Sequence, residues 1–269
     1  MDSHAHSAEL ADSPRRSSAR RVLGGQEPFG QWLDWLKGET VTVVIPALNE
    51  AENLPHVLPR IPPWVSEVIL VDDHCTDNTV TVAQALLPSV RVVRNSNWPG
   101  KGNALQAGYA AATGSLIVQV DADGSEAPEE IVSFVAALLA GADYAKGTRF
   151  IPGGGTSDMT RLRKWGNWAF VAMVRGLYGV RYTDLCYGYN AFRASALRSL
   201  NLDADGFEIE ALINLRAAQA GLAIREVASF EAVRVHGEGK LRTFPDGWRV
   251  LRTIWGERWR RPRTGPSKG

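Results

Sequence analysis

Five short apolar runs punctuate residues 41 to 150, and a helix-like stretch separates each from the next. VTVVIP (41–46), EVILVDD (67–73), VRVVR (90–94), SLIVQVDAD (115–123) and DYAKGTRF (143–150) read as strands. Their apolar stretches are continuous, whereas a strand covered on one face alternates apolar and polar residues. The stretches between them carry helix punctuation. Asn49 is placed to cap a helix over NEAENLPHVLPRI, with Glu50 and Glu52 in its first turn. A Thr/Asp cap opens TDNTVTVAQALL (76–87), and Gly114 closes GKGNALQAGYAAATG. Pro128 and Gly141 bracket APEEIVSFVAALLAG. The alternation predicts an α/β domain with a mainly parallel sheet and helices on both faces. Ligands of such sheets bind beyond the carboxyl ends of the strands. Three polar, acidic clusters fall there: PALNE, DDHCTD and DADGSE.

The second half is less regular. RLRKWGNWAFVAMVRGLYG (161–179) and GFEIEALINLRAAQAG (206–221) read as helices, and IREVASFEAVRV (224–235) as a strand. YTDLCYGYNAFR (182–193) reads as an aromatic, polar segment that turns at Gly188. Near the end, Phe244, Trp248, Leu251, Trp255 and Trp259 recur at helical spacing, and arginines fill much of the remaining surface. Such a helix either lies at a lipid interface or packs its tryptophans on the domain. The reading is therefore a flexible N-terminal arm (1–38), one α/β domain (39–243) and a basic amphipathic helix and tail (244–269).

With 269 residues the chain can bury a substantial core. A net charge of +1 excludes a global pull toward nucleic acid, and no nucleic-acid partner is expected. Two cysteines, Cys75 and Cys186, make neither a disulfide framework nor a zinc site and fit a reducing cytoplasm. No apolar run approaches the roughly 18–20 residues that span a bilayer. The N-terminus lacks the apolar core of a secretory signal, and His4 and His6 fall in the arm.

Asp121 and Asp123 end the fourth run. On a strand, residues i and i+2 point the same way, so the pair can chelate one divalent ion. Carboxylate oxygens favour Mg²⁺ or Mn²⁺, which keep positions open for water or phosphate oxygens. The alternative is a solvated turn that caps the next helix.

In this setting VVIPALNEAENL, VILVDDHCTDNT, GKGNAL, VQVDADGS, KGTRF, TDLCYGYNAFR and VRVHGEGKL resemble the family 2 glycosyltransferases of GT-A fold. The resemblance runs over about 41–243. It is strongest to the dolichyl-phosphate mannose synthases and polyprenyl-phosphate glucosyltransferases. It implies that Pro46, Ala47 and Glu50 line a nucleotide pocket and that Asp73, with Asp72, meets the base. Lys101 and Gly102 would run along the nucleotide. Asp121, Ala122 and Asp123 would meet the diphosphate, with the two aspartates holding Mg²⁺ or Mn²⁺. Arg149, Arg163, Arg234 and Lys240 would bind phosphate. Two positions depart from the family pattern: Ser125 stands two residues after the acidic motif, and Gly239 replaces a usual serine before Lys240. Processive relatives carry a Q-x-x-R-W segment, which is absent here.

The resemblance implies an inverting transferase that moves a sugar from a UDP- or GDP-sugar to a polyprenyl phosphate. Its chemistry would rest on Asp123, Asp184, Glu210 and Arg234. Asp184 reads either as a donor-sugar contact or as a turn residue, and Glu210 either as an acceptor-site acid or as a helix start. The second functional reading is transfer to a hydroxyl of a small-molecule acceptor. The expected location is cytoplasmic, with peripheral contact at the inner membrane face left open, as is homo-oligomerisation.

Overall fold

The structure, a computed structural model, describes residues 34–260. The chain divides into two compact units, Met1–Gly38 and Glu39–Gly269. In the first, only residues 34–38 are described, so the expected arm, with His4 and His6, lies almost wholly outside the described residues. The end of the tail, 261–269, also lies outside them.

In the second unit, β1 (Val41–Ala47), β2 (Glu67–Asp72), β3 (Arg91–Arg94), β4 (Leu116–Gln119) and β5 (Tyr144–Thr148) form where the apolar runs predict. Helices α1 (Thr79–Leu86), α2 (Lys101–Ala111) and α3 (Ile131–Leu139) lie between them. There follow β6 (Gly155–Thr156), α4 (Arg161–Tyr178), β7 (Asn190–Arg193), α5 (Ala194–Ser199), α6 (Ile209–Gln219), β8 (Ile224–Ala228), β9 (Phe230–Glu231) and α7 (Thr243–Trp259). Seven strands make one sheet in the order β3-β2-β1-β4-β7-β5-β8, and β6 pairs with β9 alone. All pairings in the large sheet are parallel except those of β7, which runs antiparallel to both β4 and β5. The fold is the α/β, GT-A architecture expected, with β7 added from the segment read as irregular. Helices α2 and α6 cover one face of the sheet, with Leu105, Leu212 and Ile213 packed on Val44, Ile69, Ile117 and Tyr144.

Three local expectations need correction. The helix expected from Asn49 onward is two single 3-10 turns, Leu54–His56 and Leu58–Arg60. Pro55 and Pro59 remove the backbone donors that an α-helix needs there. Asn49 instead adopts φ 55° and accepts from the Thr76 amide at 2.7 Å, tying the loops after β1 and β2 together. The predicted strand 224–235 is split, with Ser229 between β8 and β9. Strand β4 ends at Gln119, so the shared-side argument for Asp121 and Asp123 does not apply. A turn that reaches Gly124, at φ 77°, brings them together instead.

Helix α7 answers the question left open by the tail. It packs on α4 and α6 through Val250 and Ile254, against Val174, Ala211 and Leu215. Burying each such side chain stabilises the contact by about 1.5–3 kcal/mol. Asp246 and Glu257 share the buried side. Trp248, Trp255 and Trp259 remain 68%, 57% and 73% exposed, so they do not pack on the domain. No helix among the described residues is long and apolar enough to cross a membrane.

Candidate active site

A cavity of about 710 Å³ opens at the carboxyl ends of β1, β2 and β4. That volume suits a ligand of nucleotide-sugar size. Its floor comes from strand ends and the short loops that leave them: Pro46 and Ala47 at the end of β1 and Glu50 after it, Asp73 after β2, and Asp121, Ala122 and Asp123 after β4. Lys101 at the start of α2 and Glu210 in the first turn of α6 close one side. Arg163 on α4, and Arg234 and Lys240 on the loop before α7, form the cationic part of the rim.

The floor carries more acid than base. Lys101 Nζ donates to Asp121 Oδ2 at 2.7 Å and to Glu210 Oε1 at 2.8 Å. The Asp121 amide donates to Glu126 Oε2 at 2.8 Å. Asp123 Oδ1 accepts from the Ser125 hydroxyl at 2.7 Å, and its Oδ2 lies 3.3 Å from Arg234 Nη1. One ammonium thus sits among three carboxylates, Asp121, Glu210 and Glu126, and the Arg234 guanidinium faces the fourth, Asp123. Burial would lower the Lys101 pKa, but Asp121 and Glu210 outweigh it and hold the ammonium charged. Burial pushes Asp121 up to about 6; Lys101 pulls it down, while Asp123 and Glu210 add to the rise. Burial, and then Asp121, push Glu126 well above the usual carboxylate range. Asp121 Oδ1 is buried and has no hydrogen-bond partner.

That orphaned oxygen is where a divalent cation fits. Among the described residues no group of three or more His, Cys, Asp or Glu is arranged to hold a metal. Asp121 and Asp123 would therefore supply two protein positions. The remainder would come from water or phosphate oxygens, as is common for Mg²⁺. Excess acid, a free anionic oxygen and adjoining space are what such an ion requires.

The other expected residues take several places. Asp73 is buried, and its carboxylate accepts from Asn95 Nδ2 at 2.6 Å and from the Gly100 amide at 2.9 Å, which fixes the loop into α2. Asp72 lies outside the cavity lining and accepts from the Cys75 amide at 2.8 Å. Gly102 also lies outside it: a Cβ there would run into the Ala204 carbonyl oxygen, so this glycine serves the packing of α2 on the 204–205 backbone. Glu50 gathers the cations of the rim. Its oxygens accept from Arg234, from Lys240 at 2.8 Å and from Asn53 Nδ2 at 2.7 Å. Arg163 reaches the Leu241 carbonyl at 3.2 Å.

Arg149 and Asp184 form a closed pair. Arg149 Nε and Nη2 donate to the two Asp184 oxygens at 2.7 and 2.9 Å. Its Nη1 faces both oxygens of Glu231, at 3.1 and 3.0 Å, and Nη2 also reaches the Cys186 carbonyl. Asp184 is fully buried and does not line the cavity. Burial alone would raise its pKa, but the Arg149 guanidinium holds it below the usual carboxylate range. Arg149 lines the cavity, but its donors are spent on Asp184, Glu231 and the Cys186 carbonyl, and Asp184 reaches neither a donor sugar nor a proton in the cavity.

Sequence reasoning passed over Glu126 and Gly188. Glu126 stood inside the DADGSE cluster, beside more conspicuous aspartates. Gly188 was read as a turn. A Cβ at Gly188 would sit 2.8 Å from Lys101 Nζ, 3.0 Å from Asp121 Oδ2 and 3.2 Å from Glu210 Oε1. Its bare backbone lets the Lys101 ion pairs close.

A family model described as Glycosyl transferase family 2 matches residues 42–200. The chain is 34% identical over 228 residues to the undecaprenyl-phosphate mannosyltransferase of Micrococcus luteus, across 80% of this chain and 93% of that one. It is 33% identical over 211 residues to the polyprenol monophosphomannose synthase of Mycolicibacterium smegmatis, across 74% and 80%. Among solved structures, it matches glucosyl-3-phosphoglycerate synthase from Mycobacterium tuberculosis in complex with Mn²⁺, UDP and phosphoglyceric acid. The TM-score is 0.71 at 25% identity, over 87% of this chain and 84% of that one. The same synthase with Mg²⁺ and UDP matches with a TM-score of 0.68 at 26% identity, over the same 87% and 84%.

Proposed function

Because the chain belongs to glycosyl transferase family 2 and is a glycosyltransferase, we propose that it moves a sugar from a nucleoside-diphosphate sugar to a polyprenyl phosphate. The observation that carries this reading is the acid-rich floor with a free Asp121 oxygen, faced by the rim cations Arg163, Arg234 and Lys240. The relatives from M. luteus and M. smegmatis, named for such lipid phosphates, support the acceptor.

The nucleoside end lies along Pro46, Ala47 and the loop that Asp73 fixes. Asp121 and Asp123 would hold a divalent ion, which when bound would supply positive charge for a leaving group that becomes more negative as the bond breaks. An acceptor phosphate oxygen attacks the sugar C1 from the opposite face, the C1–O bond to the diphosphate breaks, and its electron pair leaves with the nucleotide. The configuration at C1 inverts. A phosphate monoester is already an anion at neutral pH, so no side chain need remove its proton. Arg234 and Lys240 exchange Glu50 for the incoming phosphate and hold it together with Arg163.

The test is a thermal-shift panel of UDP- and GDP-sugars with Mn²⁺, followed by transfer from the stabilising donor to undecaprenyl phosphate. The reading expects product on the lipid phosphate and measurable turnover in Glu210→Gln. A second reading, transfer to a hydroxyl, draws on Glu210 lining the cavity and on the likeness to a synthase crystallised with phosphoglyceric acid. Turnover only with hydroxyl acceptors, abolished by Glu210→Gln while the donor still binds, would sink the first reading and establish the second.

A further inference from the structure

We propose that Glu126 is a positioning residue for the transfer: by accepting the Asp121 amide it sets the turn that presents the Asp121 carboxylate to the cavity. The proposal rests on the reading of Asp121 and Asp123 as holders of a divalent ion.

The need for such a residue arises where the sheet stops. The Val120 amide still reaches across to β1 and donates to the Val44 carbonyl at 3.1 Å. On the other side of β4, β7 pairs only as far as Gln119, opposite Asn190. The next amide, that of Asp121, has no strand left to donate to. An amide left without an acceptor in such a place is costly. Glu126 reaches back to supply one, with its Oε2 at 2.8 Å.

The two acids of the turn are held in different ways. The Asp123 carboxylate accepts from the Ser125 amide at 3.0 Å and from the Ser125 hydroxyl at 2.7 Å, so the turn fixes its side chain directly. The turn fixes Asp121 through its backbone, at Glu126. Its Oδ2 is taken by Lys101 from α2, and its Oδ1 is the orphaned oxygen. The plane of the 120–121 peptide therefore sets where that oxygen stands relative to Asp123. An acceptor that wandered would let this peptide rotate and spread the two carboxylates.

Glu126 does not wander. It is 1% exposed. The carbonyl of the next residue, Ala127, accepts from the Tyr189 hydroxyl at 2.9 Å, and the Tyr189 ring stacks on Phe134 of α3 with centroids 4.3 Å apart. Pro128 restrains the backbone that follows. On the preceding residue, the Ser125 carbonyl accepts from the Ala232 amide at 2.8 Å. Glu126 is thus clamped from both neighbours, one through β7 and α3 and one through the segment after β9. A site with two protein carboxylates leans on such support more than a closed cage does, because few ligands define its geometry.

The experiment compares three replacements. Glu126→Gln keeps an oxygen acceptor at the same reach, Glu126→Asp keeps the acid and loses the reach, and Glu126→Leu keeps the volume and loses the acceptor. In the metal-free proteins, hydrogen exchange at the Asp121 amide, read by NMR, should be slow in wild type and Glu126→Gln and at least about tenfold faster in the other two. Mn²⁺ titration followed by electron paramagnetic resonance, with UDP or GDP present, should find Glu126→Gln within about threefold of wild type and Glu126→Asp and Glu126→Leu about tenfold weaker. Ile213→Val, a change in the fully buried core, should lower the melting temperature and bind Mn²⁺ as wild type does, which separates positioning from general stability. Should Glu126→Leu fail to fold, the contrast between Gln and Asp decides the same point. Wild-type Mn²⁺ affinity in Glu126→Leu or Glu126→Asp would overturn the positioning role alone, whatever the melting temperature. Equal losses in Gln and Asp would overturn it too, because reach would then not matter. No Mn²⁺ uptake by the wild type would defeat the ion reading and the proposal with it.

Discussion

Two buried charge clusters border the same cavity and end in opposite states. Around Arg149, both Asp184 oxygens and both Glu231 oxygens have a guanidinium partner. Around Lys101, one ammonium serves Asp121 and Glu210, and a buried Asp121 oxygen is left with none. The pKa directions follow: Asp184 is held down by Arg149 against its burial, whereas burial pushes Asp121 up to about 6 against Lys101. Burial and charge are common to both, so neither by itself marks a ligand site. The difference lies in what remains unsatisfied. A closed pair holds the structure together, and an open one waits for a cation or a substrate.

The comparison is most severely tested by breaking each cluster in turn. Asp184→Ala leaves Arg149 buried without its main partner, which should cost about 3–5 kcal/mol of stability. Urea unfolding would measure it, and a loss under 1 kcal/mol would show that the closed pair is not structural. Asp121→Asn should do the reverse. Turnover should fall about a hundredfold or more, roughly 3 kcal/mol of transition-state stabilisation. The fold should survive or gain stability, because one carboxylate leaves an acid-rich floor. A variant that transfers sugar at the wild-type rate would contradict the assignment of Asp121.

The two clusters also titrate with opposite sign. Asp121 has a raised folded pKa, so the folded chain binds a proton between about pH 6 and 4 that the unfolded chain does not. Its charged form costs stability above pH 6, and that cost fades as pH falls toward 4, by up to about 1.4 kcal/mol per pH unit. Asp184 has a lowered folded pKa, so its stabilisation is present above the unfolded value and is lost as pH falls through the folded one. Metal-free unfolding between pH 7.5 and 4.5 should therefore show a stabilising contribution on acidification in the wild type that Asp121→Asn lacks. Identical profiles for the two proteins would remove the charge argument. The smallest effect belongs to Ser125→Ala, which removes one hydrogen bond from Asp123. It should weaken metal binding several-fold, about 0.5–1.5 kcal/mol; no change would mean that Asp123 is held without it.

The same contrast explains what could be read from sequence. Strands β1 to β5 and the acids at their ends were legible because each depends on a local pattern of apolar runs and caps. The mistaken helix after Asn49 came from weighing caps above Pro55 and Pro59. Strand β7 was missed because its four residues lie in an aromatic segment whose pairing partners, β4 and β5, are distant in sequence. The closed Arg149 pair was invisible for the same reason: its partners lie 35 and 82 positions away, and an isolated arginine in KGTRF looks ready for phosphate. The tail's period gave its helix and the set of residues on one face. Only the packing of Val250 and Ile254 showed that this face looks outward.

The most direct test of the open cluster is Mn²⁺ binding, followed by electron paramagnetic resonance at pH 7.5 with UDP or GDP present, in wild type and Asp121→Asn. The wild type should take up one Mn²⁺ in the presence of its nucleotide, and the variant should bind it at least about tenfold more weakly, a difference of 1.4 kcal/mol. Equal affinity in the two proteins would contradict the account, because the orphaned oxygen would then play no part in holding the ion.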